Sequence, residues 1–352
     1  MLAKNAELHL KNIWYCAGWD DSLSLGRDAI LSKKIANEDI VIYRKPNGGL
    51  VAMEDRCCHR QAALSCGRKE GADIRCMYHG WKFSPEGKCI EIPGQERIPE
   101  RARIRTFPVV TKNDWIWVWF GEPKKADENL ICHSVGPSNP AWHTKTSHLV
   151  VEANIRQEIA NLADLTHIAW THMDTFGGTR VYSSTKGDFE LTDNGGIADM
   201  WLRSVPAPKF AQHLFDEGAL MDLHFYVTYT LPCNFNMHFR VFTAGSNTEG
   251  ESKGDLILDS FTSQSITPRD ADCVDYYYAW GAVKDSTPPG FVPLLIEAID
   301  EAFLEDKRML EAQHRNIKSK PEYKQVDYQH DGGPAKLLWL LDKKLQAENP
   351  AA

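Results

Sequence analysis

Cys57-Cys58-His59 and Cys76-Met77-Tyr78-His79 are the two stretches on which the reading of this chain turns. The first is C-x-H, the second is C-x2-H, and sixteen residues separate them. Each pairs one thiol with one imidazole. A structural zinc finger groups two Cys and then two His. One Cys and one His from each of two loops suits a cluster with two chemically different metal positions. Thiolates bind one position and neutral imidazoles the other, which raises the reduction potential above that of an all-thiolate cluster. A zinc site is the competing reading, because C-x-H also serves zinc, and four unrelated residues is the bland one.

The flanks extend the pattern. Cys57-Cys58-His59-Arg60 and Cys76-Met77-Tyr78-His79-Gly80-Trp81 resemble the C-P-H-R and C-x-Y-H-G-W loops of the Rieske family, with Cys58 where Pro or another small residue is common. Spacing to His59 favours Cys57 over Cys58 as the ligand. The resemblance implies a [2Fe–2S] cluster on Cys57, His59, Cys76 and His79, with the two Cys on the outer iron and the two His on the other. Tyr78 and Ser65 read either as hydrogen-bond donors to the cluster sulfurs or as ordinary packing and turn residues.

Composition narrows the partners. At 352 residues the chain has room for two domains, and its net charge of −8 gives no basic footprint for nucleic acid. No apolar stretch approaches the roughly 20 residues of a membrane span, and the opening Met1–Glu7 lacks the apolar core of a signal peptide. Nine cysteines without framework spacing fit a reducing cytoplasm. Cys16, Cys66, Cys89, Cys132, Cys233 and Cys273 read as small buried apolar residues.

Up to about residue 125 the pattern is short strands and turns. Ile40–Arg44, the turn Asn47-Gly48-Gly49 and Leu50–Met53 predict a hairpin. Trp81-Lys82-Phe83 before Pro85-Glu86-Gly87 predicts another, and Trp115–Phe120 an aromatic strand. An all-β module over 1–125 follows, with a polar linker over 124–140. Beyond it, residues 126–352 form the second predicted domain. Ile155, Ile159, Leu162 and Leu165 have helical spacing. Strands are predicted at His224–Thr230, Phe235–Phe242, Asp255–Thr262 and Cys273–Trp280, and an amphipathic helix at Leu294–Asn316, begun beyond Pro288-Pro289-Gly290. The class is α+β, with an antiparallel sheet flanked by helices.

The second constellation is Asn161-x2-Asp164-x2-His167-x4-His172. Asp164 and His167 share a helical face, whereas His172 lies about 140° round from His167. Both imidazoles reach one metal only where the helix ends or bulges between them. Taken alone, a His pair on a helix is more often structural. A non-haem Fe(II) site needs two His and one carboxylate, and the segment Phe303–Asn316 offers Glu305 and Asp306. Composition alone reads that pair as a solvated acidic patch. Asn161 reads either as a group beside the metal or as a backbone cap.

The segment Phe303–Asn316 resembles the matching helix of vanillate O-demethylase oxygenases, whose Glu-Asp pair ends in the ligand. That likeness assigns Asp306, with Glu305 as the alternative. Asn12-Ile13-Trp14-Tyr15 and Ile116-Trp117-Val118-Trp119 resemble the same group, and Ala160 departs from the acidic residue that often precedes its Asn. The resemblance spans nearly the whole chain. It implies a Rieske domain plus a helix-grip (START-like) catalytic domain, usually as a homotrimer. His167, His172 and Asp306 would hold a mononuclear Fe(II). Electrons would come from a separate NAD(P)H-dependent reductase, with or without a ferredoxin, because the chain shows no nicotinamide or flavin motif. The implied activity is O2-dependent hydroxylation or O-demethylation of a small aromatic acid. Hydroxylating an O-methyl carbon yields a hemiacetal that sheds formaldehyde. Ring cis-dihydroxylation is the alternative, and a Rieske electron-transfer protein the alternative from another class. Asp164 would orient His167 by accepting its N–H and, by resemblance, would link it to His79 of the partner subunit. Asn234, Asn236 and His238 share one strand face toward substrate or solvent, and Trp170, Met173 and Phe176 read as pocket walls or as core.

Overall fold

Trp115–Phe120 is buried at all six positions because it is the middle strand of its sheet and both faces are covered. In the computed structural model the described residues are 9–349 except 24, 25, 27, 28, 178, 179, 210, 211, 213, 214, 233, 246–253, 286, 288 and 289. Cys233, Met1–Glu7 and Pro288-Pro289 therefore lie outside them. Two compact units emerge. One comprises His9–Ile131 with Thr267–Asp270, the other Cys132–Ile266 with Ala271–Ala352.

The first unit is built from β1 (Ile13–Trp19), β2 (Ile30–Ile35), β3 (Glu38–Arg44), β4 (Leu50–Glu54), β5 (Arg68–Glu70), β6 (Asp73–Arg75), β7 (Lys82–Phe83), β8 (Cys89–Glu91), β9 (Thr106–Phe107), β10 (Val109–Lys112) and β11 (Trp115–Phe120). These pair into sheets of order β1-β11-β10, β2-β3-β4-β9 and β5-β6-β7-β8. The predicted hairpin is β3–β4, and Gly48 supplies the positive φ of +88° that its turn requires. Alternation along β3 serves two cores rather than core and solvent. Ile40 and Ile42 pack with Tyr15, Ile116 and Val118. Val41 and Tyr43 pack with Leu64, Ile74, Phe83 and both Cys57 and Cys76. The two predicted ligand thiols thus sit at the edge of an apolar core.

The second unit opens with β12 (Trp142–Val151) and three helices, α1 (Ile155–Ala163), α2 (Ile168–Thr171) and α3 (Arg180–Ser184). Next come β13 (Asp188–Thr192), β14 (Gly195–Pro206), β15 (Leu220–Thr230), β16 (Asn234–Thr243), β17 (Leu256–Pro268) and β18 (Val274–Val283), then α4 (Phe291–Ser319) and α5 (Gly332–Glu348). The sheet order is β12-β18-β17-β16-β15-β14-β13, an antiparallel meander closed at one edge by the first strand. Register puts Phe225 opposite Phe239, Tyr229 opposite Phe235 and Phe235 opposite Gln264, so these share one face. Helix α4 packs on the sheet through Phe303, whose ring meets Tyr276 at 5.1 Å and Tyr278 at 4.6 Å.

The four predicted strands and the long helix all form, each somewhat longer than its apolar pattern. Gly290, at φ +80°, precedes the first turn of α4. The predicted linker holds only short 3-10 turns and irregular chain. The sequence reading missed α5, which buries Leu337, Leu338, Leu341 and Leu345 behind a Gly-Gly-Pro start. The cysteine reading holds for Cys16 and Cys89, whereas Cys66 is exposed and Cys132 and Cys273 are half-buried.

Helix α1 is fixed at its start by a capping box. The Asn154 side chain accepts from Arg156 N at 3.0 Å, and Gln157 Oε1 accepts from Asn154 N at 3.2 Å. Asn154 Nδ2 also donates to the Ala271 carbonyl at 2.6 Å. Asn154→Ala loses the cap and strands that buried carbonyl. Its expected cost is about 2 kcal/mol, read as a lower denaturant midpoint at unchanged slope.

Candidate metal centres

The helix that carries the second constellation breaks at Asp164, ahead of both imidazoles. α1 ends at Ala163, and Asp164 is extended at φ −111°, ψ 91°. Asp164 Oδ1 accepts from Thr166 N at 2.9 Å and from Thr166 Oγ1 at 2.6 Å, which starts a 3-10 turn over Leu165–His167. That turn runs into the single turn of α2, and the chain leaves helical geometry again at His172. The break thus comes before His167, not between the two imidazoles. Both rings still converge, with centroids 5.1 Å apart.

Asp306 of α4 completes the group. Its Oδ1 lies 3.5 Å from His167 Nε2 and its Oδ2 lies 3.4 Å from His172 Nε2. Donor atoms of the three residues fall within 4.8 Å of one another. Two donors about 2.1 Å from a common ion and about 110° apart are about 3.4 Å from each other, so the spacing is that of metal ligands. Asp306 is 4% exposed and its Oδ1 accepts no hydrogen bond. A buried carboxylate oxygen without a donor is costly unless a cation faces it. The residues fit an Fe(II) of the two-His, one-carboxylate type.

Hydrogen bonds on the far side of each ring fix the tautomers. His167 Nδ1 donates to the Asp164 main-chain carbonyl. His172 Nδ1 donates to Glu305 Oε2 at 2.8 Å, and Thr175 Oγ1 donates to the same oxygen at 3.0 Å. Both Nε2 lone pairs are thereby turned to the metal position. Burial lowers the His172 pKa, but Asp306 and then Glu305 outweigh it, and the net shift is upward. Two corrections follow. Glu305, the alternative ligand, orients His172 instead. The expected bond from His167 to the Asp164 carboxylate is made to the Asp164 backbone.

Two neighbours of the triad went unread or half-read. Glu158 is 1% exposed, its Oε1 has no partner, and burial followed by the Asp306 charge pushes its pKa to about 8. Its only sequence signal is an acid on a face of α1 that otherwise buries Ile155, Ile159 and Leu162. Asn161 Nδ2 is buried without a partner.

Other wall residues divide differently from expectation. Trp170 and Met173 are 58% and 48% exposed, while Phe176 does line the chamber over the triad. On β16 the chamber is lined by Phe235, Met237 and Phe239. Asn234, Asn236 and His238 have the opposite parity. Asn234 accepts from Ser265 Oγ at 2.6 Å, and His238 pairs with Asp259.

In the first unit the two Cys-His loops close by the same bonds. Gln61 N donates to Cys57 O and Gly80 N to Cys76 O, while Cys57 N donates to Ala62 O and Cys76 N to Trp81 O. Both loops need positive φ at the fourth residue after Cys, +59° at Gln61 and +75° at Gly80. Cys57 and Cys76 are each 2% exposed, whereas Cys58 is exposed, which supports Cys57 as the ligand. Burial, with Cys76 alongside, pushes the Cys57 thiol up to about 12 despite the His59 main-chain N–H. A thiol so placed ionises only against a cation. His59 and His79 are exposed with rings 4.7 Å apart, and His59 stacks on Trp81. This gradient reverses the expected order: the imidazoles face outward and the thiols inward. Among the described residues only the His167 group closes to ion size. The Cys-His quartet is therefore too spread for one zinc and suits a two-iron cluster. Ser65 Oγ donates to Asp55 Oδ2 at 2.6 Å, and Tyr78 is exposed over His79. The Ser65 hydroxyl thus gives its proton to Asp55 rather than to sulfur.

Glu305→Ala is expected to lower mononuclear iron affinity about 10–100-fold, with Glu305→Gln recovering part of it and cluster absorbance unchanged in both. Iron titration read by metal analysis checks this. Glu158 carries a pH signature. Its folded pKa of about 8 exceeds the unfolded 4.5, so the folded form holds the proton longer. Stability of iron-free protein should fall as pH rises from about 4.5 to 8. Glu158→Gln should flatten that slope in denaturation midpoints taken across this range.

Comparison with known proteins agrees with both centres. Residues 13–108 match the Rieske [2Fe-2S] domain, and residues 151–347 match the Vanillate O-demethylase oxygenase C-terminal domain. The toluene-4-sulfonate monooxygenase system iron-sulfur subunit of Comamonas testosteroni is 31% identical over 97% of this chain and 99% of its own. A vanillate O-demethylase oxygenase subunit from a Pseudomonas species is 31% identical over 97% and 96%. Dicamba monooxygenase bound to 3,6-dichlorosalicylic acid superposes with a TM-score of 0.85 at 24% identity, covering 96% of this chain and 98% of that one; this likeness shows the shared fold. The chain belongs to the Rieske-type non-haem iron oxygenases, as an oxygenase component akin to the vanillate O-demethylase group.

Proposed function

We propose that this oxygenase component hydroxylates or O-demethylates a small aromatic acid, with the Rieske module over 1–125 and the catalytic module over 126–352. The observation that carries the reading is the His167–His172–Asp306 group opening on an apolar chamber of about 90 Å³. Its lining is almost wholly apolar, which suits the face of an aromatic ring. Iron at the triad would supply O2 activation, and the cluster on Cys57, His59, Cys76 and His79 would supply single electrons.

The chain's own residues do the rest. Glu305 and the Asp164 carbonyl hold the imidazoles, and Asp306 neutralises charge at the metal position. Phe176, Phe235 and Phe303 exclude water and hold the ring against the triad. A pure electron carrier has no use for this chamber. As a member of the family the chain takes its electrons from a separate reductase. A ferredoxin between them, a homotrimer and a cytoplasmic setting are part of this proposal; no helix among the described residues is long and apolar enough to cross a membrane.

Asp164 has a part in it too. Its Oδ1 is used by Thr166, while its Oδ2 has the Tyr328 hydroxyl at 3.4 Å. Oδ2 therefore retains capacity to accept from His79 of the partner subunit, which would join the cluster of one chain to His167 of the next. The capping role of Asp164 is met by Oδ1 alone.

A screen of aromatic acids and their methyl ethers with a surrogate reductase tests the reaction. Substrate-dependent O2 uptake with formaldehyde or a hydroxylated product is expected, and iron-replete protein inert to the whole set would refute it. Asp164→Asn should keep both metal sites yet slow cluster reoxidation by orders of magnitude. Co-expressed Cys76→Ala and Asp306→Ala chains should regain partial activity in mixed trimers. Verified mixed trimers without activity would confine transfer to one chain.

A further inference from the structure

The chamber is apolar almost throughout, so its few polar groups decide what it can hold. Apart from the triad and the Tyr182 hydroxyl, its polar lining residues are Gln264 on β17 and Trp280 on β18. No Lys or Arg lines it among the described residues. Trp280 is 7% exposed, and its indole N–H has no hydrogen-bond partner. Gln264 is 5% exposed, and the Tyr276 hydroxyl donates to its Oε1. That bond occupies the Gln264 Oε1 and leaves the amide N–H2 as its donor. A buried donor without an acceptor is costly. Trp280 carries such a donor and lines the chamber, so an acceptor bound there would satisfy it.

We propose that Trp280 and Gln264 are specificity-determining residues that bind the acid group of the substrate, and that they favour a sulfonate over a carboxylate. The inference rests on the reading of this site as an aromatic-acid oxygenase. An anion entering the chamber gives up its water. Without a guanidinium or ammonium to replace that water, neutral N–H donors must do so. A carboxylate concentrates its charge on two basic oxygens and is strongly hydrated. A sulfonate spreads it over three weakly basic oxygens, so it loses less on entry and still accepts from both donors. Neutral donors therefore select for the weaker base, the reverse of what an arginine clamp does.

Calorimetric titration of the iron-loaded protein tests this, with toluene-4-sulfonate, 4-methylbenzoate and toluene as probes. The sulfonate should bind at least about tenfold tighter than the carboxylate. Trp280→Phe keeps the aromatic surface and removes the N–H. It should lose about tenfold in sulfonate affinity while toluene binding stays unchanged. Gln264→Met should narrow the same gap, and provides the second variant where the first does not fold, as judged by cluster absorbance. Tighter binding of the carboxylate overturns the proposal. So does sulfonate affinity indifferent to both substitutions; if the sulfonate still elicits O2 uptake, the aromatic-acid reading stands without the pair. If no probe binds or stimulates O2 uptake, both fall.

Discussion

A carboxylate buried on an apolar helix face is the constraint around which the catalytic unit is arranged. Asp306 lies in the same stripe of α4 as Ala302, Phe303 and Leu310. An anion there is stable only opposite concentrated positive charge. The chain answers with two imidazole Nε2 atoms at ligand distance, which would hold a cation against it, while burial and the Asp306 charge push the neighbouring Glu158 toward its neutral form. The break at Asp164, the short α2 and the capped start of α1 all place those imidazoles. Remove the need to face Asp306 and none of that irregular backbone has a reason.

The first unit solves a similar problem with opposite burial. Two thiols lie in the apolar core beside Phe83 and Ile74, and two imidazoles lie in solvent. Matching backbone bonds give the two loops one shape, although only the second has Gly at the left-handed position. Gln61 adopts that conformation in the first loop with its side-chain oxygen accepting from Arg56 at 3.0 Å.

What the sequence made legible follows from how narrowly chemistry limits residue choice. Thiol and imidazole spacing identified the cluster loops, and D-x2-H-x4-H identified the iron pair, because few other side chains serve as such ligands. β3, β11 and α4 were legible through strong apolar periodicity. The rest depended on tertiary context. α5 hides behind Gly332-Gly333-Pro334, and β12 to β14 carry mixed polar residues that only the sheet makes regular. Asn234, Asn236 and His238 look like a binding face in one dimension, yet the sheet turns their apolar neighbours to the chamber. Glu305 and Asp306 differ by one methylene, and no spacing separates ligand from orienting group. The inward order of the thiols required the core to be seen.

That last pair has a mechanical side. Consecutive residues on an α-helix point about 100° apart, so Glu305 and Asp306 face two different atoms of one imidazole system only at a single rotational setting of α4. Turned by one residue, the helix would exchange the two carboxylates and present the longer one to the ion. The helix is therefore keyed like a shaft. Phe303 against Tyr276 and Tyr278 is one key, and the Lys307 bond to the Val150 carbonyl at 2.6 Å is another. Sequence drift along its 29 residues is free only where it leaves that angle alone.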